Sequence, residues 1–99
     1  MNIGKMMKNL QQMQTKMQED LETLELEASS GGGVVTARMN GKKQLLSLKF
    51  SAEAITPDDP ELMEDLIVAA VNEVGRLVDE EVARMTQGLT AGLKIPGLS

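Results

Sequence analysis

The run Val34-Val35-Thr36-Ala37-Arg38-Met39-Asn40-Gly41-Lys42-Lys43-Gln44-Leu45-Leu46-Ser47-Leu48-Lys49-Phe50 carries two strand-like halves around an Asn-Gly pair. Asn40 and Gly41 both tolerate positive φ, so the pair predicts a β-hairpin closed by a two-residue type I′ turn. Val35, Ala37 and Met39 alternate with Thr36 and Arg38, and Leu46, Leu48 and Phe50 alternate with Ser47 and Lys49. A period of two places the apolar set on one face, so the antiparallel sheet is expected to have one dry side and one wet side. Upstream, Leu26 and Ala28 alternate with Glu25 and Glu27, which predicts a third strand over residues 24–28. It leads into the break Ser29-Ser30-Gly31-Gly32-Gly33, expected as a flexible turn.

Helical signals flank this sheet. Met6, Leu10, Met13, Met17, Leu21 and Leu24 recur at steps of three and four, which confines them to a seam roughly 80° wide. A helix over residues 4–24 would be about 30 Å long, against a radius of gyration of about 13 Å for a compact chain of this size. Part of it must therefore project, and its seam needs a cover, most simply a second copy of the chain. On the other side, Asp59 and Pro60 form a capped helix start. The second helix is expected to run to about Met85, with apolar residues from Leu62 to Met85 spread over roughly 200°. One sheet face cannot bury so wide an arc, so a second surface must meet it. Met13, Met17, Leu21, Leu46, Leu48, Ile67, Val71 and Val78 are the expected dimer contacts. Residues 1–86 are read as one domain and residues 87–99, with Gly88, Gly92, Pro96 and Gly97, as a flexible tail. The fold class is α+β: a long N-terminal helix, a small three-stranded antiparallel sheet and a long second helix.

Composition removes several chemistries. The 99 residues contain no Cys, His, Trp or Tyr and a single Phe, so disulfides, Cys nucleophiles, His bases and Cys/His metal sites are excluded. Base-stacking platforms need more aromatics than one. Gly31–Gly33 opens a strand rather than a helix and lacks the Lys-Ser/Thr of a phosphate loop. Asp58, Asp59, Glu61, Glu64 and Asp65 lack the spacing of a calcium loop and suit the positive end of the second helix. No catalytic constellation, cofactor site or metal site can be assembled, and no enzyme or small-molecule substrate is expected. Neither a secretion signal nor a membrane-length apolar segment is visible, so a cytoplasmic location is expected.

Charge is distributed unevenly. Residues 1–50 hold seven basic side chains against five acids, and residues 51–99 three against ten, so a net charge of −5 conceals a dipole. In the first helix, Lys5, Lys8 and Lys16 precede Glu19, Asp20 and Glu22, the reverse of what the helix dipole favours. A solvated charged face is one reading. The other is a helix tip whose amides and lysines suit phosphate, which makes Lys5, Lys8 and Lys16 the leading candidates. Arg38, Lys42 and Lys43 are secondary ones, the last two because exposed lysines also guard strand edges.

Taken in order, these pieces resemble the YbaB/EbfC family of nucleoid-associated proteins. The similarity lies in Met6, Met7, Lys8, Gln11, Met13, Gln14 and Met17, in Gly31–Gly33 entering Val34-Val35, and in Asn40-Gly41. It continues through Glu64, Asp65, Leu66, Ile67, Ala69, Ala70 and Asn72 to the Pro96-Gly97 tail. Ser51-Ala52 and Val74-Gly75 depart from the family pattern of Asp-Pro and alanine. The resemblance implies a tweezer-like homodimer that grips double-stranded DNA with little sequence preference at the nucleoid and contributes to its organisation and to gene regulation. The rival expectation is a protein-interaction module whose methionine-lined helices hold a peptide or partner protein.

Overall fold

A computed structural model describes residues 2–55 and 58–91. In chain order it contains helix α1 (Ile3–Thr23), strands β1 (Glu25–Ser30), β2 (Val35–Asn40) and β3 (Leu45–Phe50), a 3-10 turn (Ala52–Ala54) and helix α2 (Pro60–Ala91). The sheet is an antiparallel meander in the order β1-β2-β3, as the alternation required.

Both helix starts are capped by short polar side chains. Asn2 accepts the Lys5 amide at 3.1 Å, and Asp59 accepts the Leu62 amide at 3.1 Å with Pro60 in the first helical position. α1 ends where Leu24 turns extended and its amide closes on the Asp20 carbonyl. β1 then runs two residues past the expected end. Ser29 and Ser30 are strand residues because their hydroxyls find partners: Ser29 bonds Thr36 across the ladder, and Ser30 donates to the Leu66 carbonyl of α2 at 2.6 Å. The three glycines form the β1–β2 turn, all at positive φ, with the Gly33 and Val34 amides donating to the Ser30 carbonyl.

The β2–β3 connection is not a two-residue type I′ turn. Asn40 pairs with Gln44, the Lys43 amide closes on the Asn40 carbonyl, and Lys43 takes the left-handed position at φ 63°. Loop residues 41–43 thus form a three-residue hairpin, stabilised by the Asn40 side chain, which accepts the Lys42 and Gln44 amides. Gly41 is needed for a different reason. A Cβ there would lie 2.7 Å from the Leu21 carbonyl oxygen and 2.9 Å from its Cα, because the hairpin tip meets the end of α1 at this point. Next to the turn, the pairing slips by one residue between Arg38 and Met39, so that Met39 faces Leu45.

The core consists of small side chains. Ala28, Val35, Ala37 and Met39 of the sheet pack against Ala70, Val74 and Val78 of α2. α2 lies over β1 and β2 and leaves β3 uncovered, so Leu45, Leu46 and Phe50 stay 38–44% exposed. Val78 was expected on a partner-facing surface. It is fully buried in its own chain's core, because the width of an apolar arc gives the number of surfaces a helix meets but not which residues face each.

Length explains the shape. α2 spans about 48 Å and the strands about 20 Å, so α2 overhangs the sheet. It runs unbroken through Gln87 and Gly88 across the expected domain boundary. One glycine costs a helix only about 1 kcal/mol relative to alanine, too little to end one this long. Residues 92–99 of the expected tail lie outside the described residues. α1 buries no residue at all, and the molecule measures 69 × 26 × 16 Å with a radius of gyration of 19.2 Å, well beyond the compact expectation of about 13 Å. The first helix projects.

Two glycine substitutions should therefore act in opposite directions. Gly41→Ala forces backbone apart and should cost about 1–3 kcal/mol, lowering the melting temperature. Gly75→Ala meets only the flexible Lys43 stem at ordinary contact distance, so it should gain up to about 1 kcal/mol from helix propensity. Thermal denaturation followed by circular dichroism checks both.

Candidate nucleic-acid interface

The six basic residues singled out from the sequence fall into two groups. Lys5, Lys8 and Lys16 are exposed along α1, and none of them has a carboxylate partner among the described residues. Arg38, Lys42 and Lys43 are already engaged. Arg38 bonds Glu25 and lies 3.6 Å from Glu27 across the wet face of the sheet. Lys42 pairs with Glu22 at 2.7 Å and Lys43 with Asp79 at 3.2 Å. A phosphate approaching this second group must displace a carboxylate of the same chain, whereas the α1 lysines have only water to give up.

Each pairing has a local cause. The close approach of Gly41 to Leu21 brings Lys42 beside Glu22, so this ion pair fastens the root of α1 to the hairpin. The left-handed turn at Lys43 lays its stem over Gly75 and delivers the ammonium to Asp79, one helical turn further along α2. Lys49, not picked out from the sequence, is also exposed and without a carboxylate partner among the described residues, on β3 opposite Thr36.

The electrostatics of α1 divide along its length. Residues 2–18 hold three lysines and no acid, whereas Glu19, Asp20 and Glu22 ring the root. The Asn2 cap takes up the Lys5 amide, so the helix terminus offers fewer open amides than an uncapped one, and its attraction for anions rests mainly on the lysines. On the exposed side of α2, Arg76 bonds both Glu73 and Glu80. The hydrogen bond from Arg76 holds the Glu73 carboxyl below its ordinary range, and Arg76 is itself pushed up, so the cluster stays ionised at neutral pH with one carboxylate in excess.

The expected dimer contacts are likewise sorted. Met13 and Leu46 are more than two-fifths exposed, while Met17, Leu21, Leu48, Ile67 and Val71 are half-buried. Where the overhang of α2 runs beside α1, Met13, Lys16, Met17 and Asp20 face Met85 and Gly88 across a groove of about 350 Å³. Of its α2 side, Met85 was expected as the last apolar residue of the second helix, whereas Gly88 was read into the tail. Among the described residues no cluster of His, Cys, Asp or Glu is arranged to hold a metal ion, and no helix is long and apolar enough to cross a membrane.

A three-stranded meander roofed by one helix and carrying a second as an exposed cationic projection defines a small α+β protein. The same fold is seen in the crystal structure of an uncharacterized protein from Helicobacter pylori, at a TM-score of 0.75 and 21% identity over 88% of this chain and 91% of that one. The model of the YbaB/EbfC DNA-binding family matches residues 1–93, and the chain belongs to that family. A nucleoid-associated protein of Clostridium novyi is 46% identical, covering 99% of this chain and 89% of its own length. Another from Alkaliphilus metalliredigens is 43% identical, covering 98% and 88% respectively. This is a DNA-binding family, not a family of enzymes.

Arg38 is expected to serve the sheet. Arg38→Gln should leave Glu25 and Glu27 side by side without a cation and cost up to about 1 kcal/mol at low salt, less at high salt. Urea denaturation at the two ionic strengths measures the difference.

Proposed function

We propose that this chain is a nucleoid-associated protein of the cytoplasm that binds double-stranded DNA as a tweezer-like homodimer, with little sequence preference and through the outer part of α1. In this role it contributes to nucleoid organisation and to regulation of gene expression. The observation that carries the reading is the contrast among the cations: Lys5, Lys8 and Lys16 stand free on an unpacked helix, whereas Arg38, Lys42 and Lys43 are held by acids. Free lysines gain most from phosphate, since neutralising each phosphate releases condensed counterions without breaking an existing ion pair. The acids of α1's root and of α2 repel the duplex from the body and orient it toward the projecting helix.

Dimerisation is supported by surfaces left without cover. β3 has no helix over it, and its Leu45, Leu46 and Phe50 remain exposed with the seam residues Met6, Leu10 and Met13 of α1. An apolar surface this extended on so small a chain asks for a partner, and a second copy supplies one by symmetry. The family's nucleoid-associated relatives support the location.

The methionine-lined groove between α1 and α2 favours a second reading, in which a peptide or partner protein is held there. One experiment separates the two. If a dimer neutralises about six phosphates, the logarithm of the binding constant should fall against the logarithm of salt concentration with a slope near −5 in a gel-mobility titration. Replacing Lys5, Lys8 and Lys16 together by glutamate should abolish the shift while sizing still shows a dimer. A flat salt response, or full binding by the triple variant, contradicts the proposal. Capture of a protein partner that survives Lys5→Glu/Lys8→Glu, neither of which lines the groove, together with no DNA binding by the unsubstituted chain, favours the groove instead.

A further inference from the structure

The cations of α1 are interleaved with amides in a way that bulk charge does not require. Lys5, Asn9, Gln12 and Lys16 follow at steps of four, three and four, which gathers them into a row roughly 60° wide, set roughly 100° around the helix from the apolar seam. All four are exposed, and the amides of Asn9 and Gln12 have no hydrogen-bond partner among the described residues. The other amides, Gln11, Gln14 and Gln18, form a separate row that holds no lysine.

From these dimensions we propose that α1 enters the major groove of duplex DNA, with Lys5 and Lys16 on the phosphates of opposite rims and Asn9 and Gln12 on the base edges between them. The inference rests on the DNA-binding reading above and adds to it the residues that read sequence. The face of a helix that enters a groove must be unpacked, and residues 3–16 of α1 are all exposed, with the row of Lys5, Asn9, Gln12 and Lys16 set apart from the seam left for a partner. Its width of about 10–12 Å matches a groove about 12 Å wide. Lys5 and Lys16 are about 16 Å apart along the axis, so that where a straight helix leaves the curved groove at either end each lysine meets a different backbone, and Asn9 and Gln12 fall between them on the groove floor. The rise from Asn9 to Gln12 is about 4.5 Å, close to the base-pair stacking distance of about 3.4 Å, so the two amides address neighbouring base pairs. Asn and Gln each donate to N7 and accept from N6 of adenine in a bidentate pair, which no other base edge in the major groove reproduces. The ring of Glu19, Asp20 and Glu22 limits the depth of entry, because it meets the phosphates first beyond Lys16. The preference that results is for A·T pairs at two adjacent positions, superimposed on binding that is otherwise governed by phosphate.

Selection from a pool of randomised duplexes by the full chain, with sequencing of the retained fraction, tests this. The wild-type protein should enrich adenine about fivefold or more at two neighbouring positions, the lower end of what one bidentate contact discriminates. Asn9→Ala/Gln12→Ala should erase the enrichment while holding affinity for the unselected pool within about threefold, since alanine keeps the helix and the lysines remain. Lys5→Gln/Lys8→Gln/Lys16→Gln should lose the pool affinity itself. Retained enrichment in the double alanine variant overturns the inference, as does loss of pool affinity equal to that of the lysine variant. A flat profile from a wild-type protein that does bind the pool overturns it and leaves the DNA-binding reading standing. No binding of the pool by the wild type overturns both.

Discussion

α1 is fastened to the sheet at its root alone. The Gly41 amide donates to the Leu21 carbonyl at 2.8 Å, Lys42 pairs with Glu22 beside it, and the outer part of the helix has no core beneath it. Gly41 makes this possible by lacking a side chain, since a Cβ would collide with the Leu21 backbone. The projection, the exposed seam and the availability of Lys5, Lys8 and Lys16 all follow from that one attachment. Were α1 laid along the open face of the sheet, its lysines would meet Glu25 and Glu27 and be neutralised like Arg38.

The rest of the chain keeps the body from competing with the helix for DNA. Most cations near the sheet are matched by acids: Arg38 with Glu25 and Glu27, Lys42 with Glu22, Lys43 with Asp79, Arg76 with Glu73 and Glu80, with Lys49 on β3 the exception. Surface pairs of this kind contribute at most about 1 kcal/mol each to stability. Their larger consequence is electrostatic, because they cancel positive charge wherever it would otherwise attract phosphate to the wrong place. A chain with a net charge of −5 can thus belong to a DNA-binding family, provided that its unmatched cations are concentrated, as Lys5, Lys8 and Lys16 are on α1.

Local patterns in the sequence were enough for the element types and for the separation of charge along α1. The Asp59-Pro60 start, the alternation in β2 and the narrow seam of α1 each depend on residues within a few positions of one another, and such relations survive folding. What stayed hidden depends on contacts distant in sequence. Asn40-Gly41 carries the signature of a type I′ turn, yet Gly41 is required by Leu21, some twenty positions earlier, and Lys43 takes the left-handed conformation. Ser29 and Ser30 have the composition of a loop but are strand because Thr36 and Leu66 supply partners. Lys42 and Lys43 ranked below Lys5 and Lys8 only as guards of a strand edge, and it is the fold that brings Glu22 and Asp79 to them. Val78 was lost to the core for the same reason: nothing local distinguishes it from Val71.

The most direct measurement is a lysine acylation footprint read by mass spectrometry, with and without duplex DNA at low salt. The account predicts that DNA protects Lys5, Lys8 and Lys16 together and leaves the reactivity of Lys42 and Lys43 unchanged. Protection of Lys42 and Lys43 with the α1 lysines still fully reactive would contradict it.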